Sequence, residues 1–403
     1  MKNQVVDEIV SPDKCTGCGI CRNLCPHDAV RMVPGREGFL LPAVDPARCA
    51  GCRLCLARCP QRRTPKVRRA ERPEAYACWN RNPEERAASS SGGMFTVYAR
   101  QIFARGGVVF GAGYDGRLDV RYRAARSAEE LKPLLCSKYV QAETGTVYLE
   151  IKEELAAGRP VLFVGTPCQI AGLYNFLNDD PPNLYTCDFL CHGVPSPLFY
   201  RKWLDHLEKA FKSPVFSINM RSKRRRRNIM GVELRLSSAP ERPLDFAWHD
   251  RKMEYLGRAF LKNYSLRKRC YTCPYVKMPR LGDVTLADFW KLGDLGPDEA
   301  EKKSGVSLNL VNSEKGKRLV EMSAADARYV RRELSEAVGG NSSLRGYTRE
   351  PLERDNFVTD AALYDYETLI KRYHRQLFGS RFEQLKTAVK KRLRPLIGRL
   401  KGR

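Results

Sequence analysis

Eight cysteines near the start of the chain repeat one spacing. Cys15, Cys18, Cys21 and Cys25 are followed by Pro26, and Cys49, Cys52, Cys55 and Cys59 by Pro60, so each group reads C-x2-C-x2-C-x3-C-P. Two-residue gaps let three successive thiolates converge on one small inorganic core, and the chemistry that asks for this is a 4Fe-4S cube. Zinc is the plainer alternative, because paired CxxC elements hold tetrahedral zinc. Zinc does not call for four cysteines at 2-2-3 spacing with a closing proline, twice over. The spacing therefore points to one-electron chemistry.

The run is that of bacterial two-cluster ferredoxins, where three thiolates grip one cube and the fourth crosses over to the other. The expected ligand sets are Cys15, Cys18, Cys21 with Cys59, and Cys49, Cys52, Cys55 with Cys25. The crossed fourth ligand would tie both halves into one unit spanning residues 1–65.

Seven further cysteines lie outside this unit: Cys78, Cys136, Cys168, Cys187, Cys191, Cys270 and Cys273. Cys168 follows the apolar run 160–165 in Gly165-Thr166-Pro167-Cys168-Gln169, where a βα turn presents side chains at the carboxyl edge of a sheet. Cys191 follows the next apolar run, and Cys270 and Cys273 form a CxxC closed by Pro274. Two single cysteines and one CxxC make four thiolates, enough for a third cluster. Spacing alone leaves this reading level with that of buried free thiols, which behave as small hydrophobes. Cys78, Cys136 and Cys187 have no such context and read as core or surface thiols.

The chain of 403 residues is long enough for two or three domains, and its 43% hydrophobic content is that of a globular protein. Residues 1–8 lack the apolar core of a signal peptide, and no stretch approaches the ~18 apolar residues of a membrane span. With 15 cysteines, an odd number mostly in ligand spacing, the expectation is a reducing, cytoplasmic setting. The formal charge of +25 raises nucleic-acid binding as a reading. Three clusters at roughly −2 each and a flavin diphosphate would lower it to about +17. No nucleic-acid reader motif accompanies the charge, and nucleic acid is not expected as a partner.

The elements that must position these residues alternate. A Gly-Gly turn opens helix 94–104, followed by a buried strand at 107–111, helix 147–155, strand 160–165, helix 169–177, strand 184–190 and helix 198–207. The series favours a sheet covered on both faces. Beyond Pro214 the pattern mixes strand and loop. Residues 61–69 read as a polar, basic connector and a domain boundary. From about Leu377 the chain is basic, with Leu385, Val389, Leu393, Leu396, Ile397 and Leu400 at helical spacing. Two readings are level: a helix on an anionic membrane surface or partner, and a terminal helix covering the protein's own core.

Several loops carry a resemblance. Ser89 to Phe95 (SSSGGMF), Ser137 to Gln141 (SKYVQ), Gly165 to Leu173 (GTPCQIAGL), Cys191 to Pro197 (CHGVPSP), Cys270 to Tyr275 (CYTCPY) and Gly282 to Trp290 (GDVTLADFW) resemble, in order, the coenzyme F420 hydrogenase/dehydrogenase beta-subunit family. With the ferredoxin unit the resemblance covers residues 10–340. It implies an α+β and α/β chain: a dicluster ferredoxin domain (1–65), an α/β part with the FAD site (75–210) and a part completing the third cluster (211–350); composition and spacing add a basic helical tail (351–403). It implies Cys168, Cys191, Cys270 and Cys273 as ligands of the third 4Fe-4S cluster. It also implies FAD contacts from Ser91, Gly92, Gly93, Ser137, Lys138, Tyr139 and Thr166. Glycines without Cβ let a diphosphate approach the backbone, and the amides of the following helix face it.

The expected function is an iron-sulfur flavoprotein oxidoreductase. Electrons from ferredoxin or another carrier would pass the clusters to FAD and on to an organic acceptor or coenzyme F420. The alternative is a non-catalytic electron-transfer protein docked on a larger complex. His192, beside Cys191, is the candidate proton donor, with a structural hydrogen bond as its plainer role. The basic run 223–227 reads as a solvated loop or as a receiver for an acidic coenzyme tail or sugar.

Overall fold

The computed structural model describes residues 9–224, 231–247 and 254–379. In chain order the strands are β1 (Val30–Pro34), β2 (Leu40–Val44), β3 (Glu74–Asn80), β4 (Val108–Tyr114), β5 (Val120–Ala125), β6 (Val161–Gly165), β7 (Leu184–Phe189), β8 (Val215–Ser222), β9 (Gly231–Leu236), β10 (Ala239–Ala247), β11 (Val284–Asp288), β12 (Ser307–Val311) and β13 (Ala327–Arg332). The large sheet has the order β13-β3-β12-β11-β7-β6-β4-β5. Its centre, β4-β6-β7-β11, is parallel, as the apolar runs and intervening helices predict. Antiparallel β5 closes one side, and β12, β3 and β13 extend the other.

Alternation along the central strands divides the core. Val109, Leu162, Cys187 and Val284 face the helices Met94–Phe103 and Glu314–Met322. Val108, Phe110, Val161, Phe163 and Leu184 face the helices Val147–Ala156 and Pro167–Leu177. Both faces are thus covered, each fully buried side chain contributing about 1.5–3 kcal/mol. Cys78 and Cys187 belong to this core and are buried.

Helix Pro167–Leu177 starts where it does for local reasons. Thr166 and Gln169 form a reciprocal capping box, Pro167 occupies the first turn, and Asn178 ends the helix in the left-handed region. This fixes Cys168 at the helix start. One turn further along the same helix Gly172 is required: a Cβ there would lie 2.7 Å from Tyr148 Oη and 3.3 Å from Cys18 Cβ.

The ferredoxin unit, with its β1-β2 hairpin and the short helices Ile20–Leu24 and Leu54–Ala57, packs into this body. Cys18 and Ile20 join the apolar cluster of Tyr148, Ile170 and Leu173. The hairpin turn docks on the far lobe, where Ser196 Oγ donates to Glu37 O at 2.6 Å and Arg354 pairs with the Glu37 carboxylate. The basic connector is also held. Arg69, its side chain 2% exposed, pairs with Asp180 at 3.0 Å and Asp283 at 3.3 Å and donates to Leu281 O at 2.8 Å.

Between β7 and β11 the chain builds a second lobe. Helix Pro197–Phe211, the sheet β10-β9-β8 and helix Glu254–Leu261 share one apolar cluster with helices Arg354–Leu363 and Tyr366–Phe378. Phe357, Leu369, Tyr373 and Leu377 are buried there, so the helices within 351–379 contribute one face to the core. The basic helical positions from Leu385 onward lie outside the described residues. Among those described, no helix is long and apolar enough to cross a membrane.

Candidate iron-sulfur centres and the sheet-edge site

Because β3 and β11 are both antiparallel to β12, β3 runs with the parallel strands. The ends of β3, β4, β6, β7 and β11 and the start of β12 therefore share one edge of the sheet. Thr166 and Cys168 follow β6 there, and Cys191 follows β7. This is the edge where open α/β sheets receive ligands.

Cys168, Cys191, Cys270 and Cys273 line one cavity, together with Thr16, His192, Arg267, Arg269, Tyr275 and Arg280. The cysteines come from three loops far apart in the chain, and only folding joins them. Burial pushes all four thiols up; Cys270 rises to about 11, and neighbouring thiols push Cys168 and Cys191 further. Without compensation such thiols stay protonated. Among the described residues no three Cys, His, Asp or Glu close on a single point as a mononuclear ion requires. Four soft donors around a cavity with three arginines in its wall fit an anionic iron-sulfur cluster instead.

The ferredoxin cysteines group in two. Cys59 lies within electrostatic reach of Cys15, Cys18 and Cys21, and burial is the chief cause that raises the Cys18 and Cys21 thiols, Cys18 to about 12. Cys59, the last cysteine of the second run, thus stands beside the first three of the first run. Cys49 and Cys52 sit beside Cys55. The Cys25 thiol accepts from Ala29 N at 3.2 Å, and no contact among the described residues ties it to that trio.

Two side chains join the first ferredoxin set to the cavity. Arg267 donates to Cys15 O and Leu40 O, both at 2.7 Å, and to Gln141 Oε1 at 3.1 Å. Tyr275 donates to Pro60 O at 2.8 Å, and burial raises its phenol, with Cys18, Cys168, Cys273 and Cys59 adding to the rise. Arg267 carries no signal in the sequence beyond the nearby cysteines, whereas Tyr275 closes the Cys270–Tyr275 motif.

His192 lines the same cavity, but its Nε2 lies 2.8 Å from Asn263 Oδ1 and its ring rests edge-on against Phe260. Burial lowers its pKa. The structural bond considered from sequence is the contact present.

The residues read as flavin contacts mostly converge elsewhere on the edge. Ser137 N donates to Ser90 Oγ at 2.9 Å, bringing the Ser137–Tyr139 loop against the Ser-Gly-Gly turn. Arg221 reaches Ser90 O, Tyr139 Oη and Asp288. Lys138 is half-buried, donates to Leu135 O and Cys136 O, and is lowered by desolvation to about 7. Lys223 turns inward to Arg86 O, Ser89 Oγ and Ser91 O, so the first residue of the basic run is not a solvated one. Arg224 is exposed beside Asp245 at 3.4 Å, and residues 225–227 lie outside the described residues.

Helix Met94–Phe103 starts at Gly93, φ 83°, with no side-chain cap. Arg221 and Lys223 hold the turn that leads into it, and Lys138 stands on the adjoining loop. That arrangement fits a phosphate-bearing cofactor. Gly92 has another reason to be glycine: a Cβ there would lie 2.5 Å from Cys78 O and 2.8 Å from Ser307 N. Thr166 belongs with the cysteines, its Oγ1 3.1 Å from Cys168 Sγ.

Comparison with known proteins bears on these sites. Residues 14–62 match the 4Fe-4S dicluster domain, and residues 158–336 match the C terminus of the coenzyme F420 hydrogenase/dehydrogenase beta subunit. No curated protein matches the chain. Among solved structures, a chain of the F420-reducing [NiFe] hydrogenase complex from Methanosarcina barkeri aligns at 14% identity and a TM-score of 0.44. The alignment covers 75% of this chain and 92% of that one, a likeness too slight to carry chemistry. The two sequence matches span both ferredoxin cysteine groups and all four cysteines of the cavity: residues 158–336 are similar to the C-terminal part of the coenzyme F420 hydrogenase/dehydrogenase beta subunit, with a 4Fe-4S dicluster domain ahead of them.

Proposed function

We propose that the chain is an iron-sulfur oxidoreductase that carries electrons between ferredoxin-type centres and an acceptor bound at the sheet edge. One observation carries the reading: Cys168, Cys191, Cys270 and Cys273 meet around one cavity, and Tyr275 in its wall also stands beside Cys18 and Cys59 and donates to Pro60 O.

The ligand sets would be Cys15, Cys18, Cys21 with Cys59; Cys49, Cys52, Cys55 with Cys25; and Cys168, Cys191, Cys270 with Cys273. Bound there, 4Fe-4S clusters supply one-electron chemistry. FAD, held near Ser91, Gly92, Gly93, Ser137, Lys138 and Tyr139, would supply the exchange between one- and two-electron chemistry. The chain's own part is geometric and electrostatic. Arg267 and Tyr275 hold two thiol groups at a fixed separation, burial keeps water from Cys15, Cys18, Cys21 and Cys59, and Lys138, Arg221 and Lys223 set a positive field around the uncapped helix. The acceptor is an organic molecule or coenzyme F420, and the electron donor is ferredoxin or a partner protein.

Anaerobic purification followed by iron, sulfide and flavin analysis tests the proposal. About twelve iron atoms and one FAD per chain are expected. About twelve iron atoms with no flavin would favour an electron-transfer subunit. About eight iron atoms would remove the third centre and, with it, the proposal.

A further inference from the structure

Three arginines wall the cavity of the four cysteines, and they differ in what their guanidinium groups do. Arg267 uses Nε, Nη1 and Nη2 on Cys15 O, Gln141 Oε1 and Leu40 O. Arg269 gives Nε to Gln61 and Nη1 to Thr272. Arg280 is the most deeply buried of the three, its side chain 1% exposed, and its Nε has no acceptor. Its Nη1 donates to Tyr275 O at 2.7 Å and its Nη2 to Phe189 O at 3.3 Å.

The one carboxylate beside it is Asp188, itself 0% exposed, at 3.2 Å. That contact is not aligned as a hydrogen bond, for Asp188 Oδ1 also lacks a partner. A guanidinium never loses its proton inside a protein, so a buried charge with an unspent donor stands in the cavity wall. The same charge acts on the Cys191 and Cys273 thiols. A native fold rarely leaves such a donor unpaired without a reason.

We propose that Arg280 is the positioning and charge partner of the group held by Cys168, Cys191, Cys270 and Cys273, giving its free Nε–H to a sulfur of that group and raising its reduction potential. The inference rests on the third cluster of the proposed function. Reduction adds one electron and one negative charge at the cluster, no bond breaks, and no proton moves. A fixed cation beside the cluster therefore favours the reduced state, as do hydrogen bonds to its sulfurs.

The test uses the full chain, iron-loaded and anaerobic, titrated with dithionite under electron paramagnetic resonance. The third-cluster signal is the one that Cys273→Ser removes. Arg280→Gln combined with Asp188→Asn avoids an orphaned carboxylate, and its reference is Asp188→Asn alone, so that the carboxylate's own charge is absent from both. At the potential where the third cluster of Asp188→Asn is half reduced, the double variant should show a reduced-to-oxidised ratio at least tenfold lower, about 59 mV for one electron. The two ferredoxin clusters should not move. An unchanged third-cluster ratio, or an equal shift of all three clusters, overturns the proposal.

A second measurement needs no loss of charge. With 15N-arginine the native third-cluster signal should show a nitrogen coupling that Arg280→Lys abolishes, and its absence in the native protein would equally overturn the proposal. A native chain with about eight iron atoms and no third signal removes the underlying reading instead, and is distinguished by iron analysis alone.

Discussion

Tyr275, two residues beyond Cys273, donates its phenolic hydrogen bond to the carbonyl oxygen of Pro60, one residue beyond Cys59, at 2.8 Å. A residue of the late CxxC loop thus touches the closing proline of the second ferredoxin motif. The contact joins two cysteine groups that the sequence keeps more than two hundred positions apart. Around it Gln61 donates to the same phenol at 3.2 Å, and Arg269 donates back to Gln61.

Replacing Cys273 or Cys168 by serine should remove one cluster and spare the ferredoxin pair. Iron should fall from about twelve to about eight atoms per chain. Retention of all the iron would sink the third ligand set.

Tyr275→Phe keeps the ring and loses the hydroxyl, leaving Pro60 O buried without that donor. The expected cost is about 1–3 kcal/mol, with little loss of iron. Tyr275→Ala also removes the packed ring and should cost more, about 3–5 kcal/mol. Anaerobic thermal unfolding of the loaded protein should rank native above Phe above Ala; equal midpoints would show the contact to be idle.

Arg69 pairs with the buried Asp283 and the half-buried Asp180. Asp283, 0% exposed, accepts from Thr186 N and Ser313 Oγ, faces Arg69 at 3.3 Å and lies 3.7 Å from Lys315. Arg69→Met should destabilise by about 3–5 kcal/mol, because it leaves excess negative charge out of water. Adding Asp283→Asn should recover part of that loss. Denaturant midpoints of the four proteins form a double-mutant cycle, and strict additivity would contradict the coupling.

Lys138 gives a pH signature. Burial lowers its folded pKa to about 7, with only Cys136 opposing. An unfolded lysine titrates near 10.4, so between about pH 7 and 10 the unfolded chain binds more protons and this residue's contribution to stability rises with pH. Below about pH 7 both states are charged and the penalty is complete. Lys138→Met should therefore stabilise most at and below neutral pH and converge on the native protein toward pH 10. A pH-independent difference would show that Lys138 is solvated in the folded chain.

Much of the local design was legible. The paired spacing from Cys15 to Pro60 identifies the dicluster domain, because a cluster ligand loop is built from consecutive residues. The apolar runs behind β4, β6 and β7 and the helices between them were readable for the same reason: a buried strand and an amphipathic helix leave their period in the sequence. Antiparallel β3, β12 and β13 were less so. β3 pairs with β12 and β13 more than two hundred residues away, and that pairing carries β3 into line with the parallel strands.

Residues 61–69 show the limit of composition. The stretch reads as a polar, basic connector, yet the Arg69 side chain is buried because Asp180 and Asp283 arrive from distant elements to neutralise it. Lys223 turns inward likewise, toward the carbonyls of Ser91 and Arg86. Gly92 carries a constraint that its motif does not announce, since it lacks a side chain to admit the backbone of Cys78 and Ser307.

Covalent neighbours alone specify the chemistry of this chain: soft thiolates at ligand spacing call for iron-sulfur clusters, and nothing distant is needed to say so. Folding chose which separated groups act together. It brought Cys168, Cys191, Cys270 and Cys273 around one cavity, set Tyr275 and Arg267 between that cavity and the ferredoxin unit, and buried Arg280 in its wall. Those relationships depend on strand order and packing between segments far apart in the chain, and a long-range contact leaves no periodicity from which it could be read.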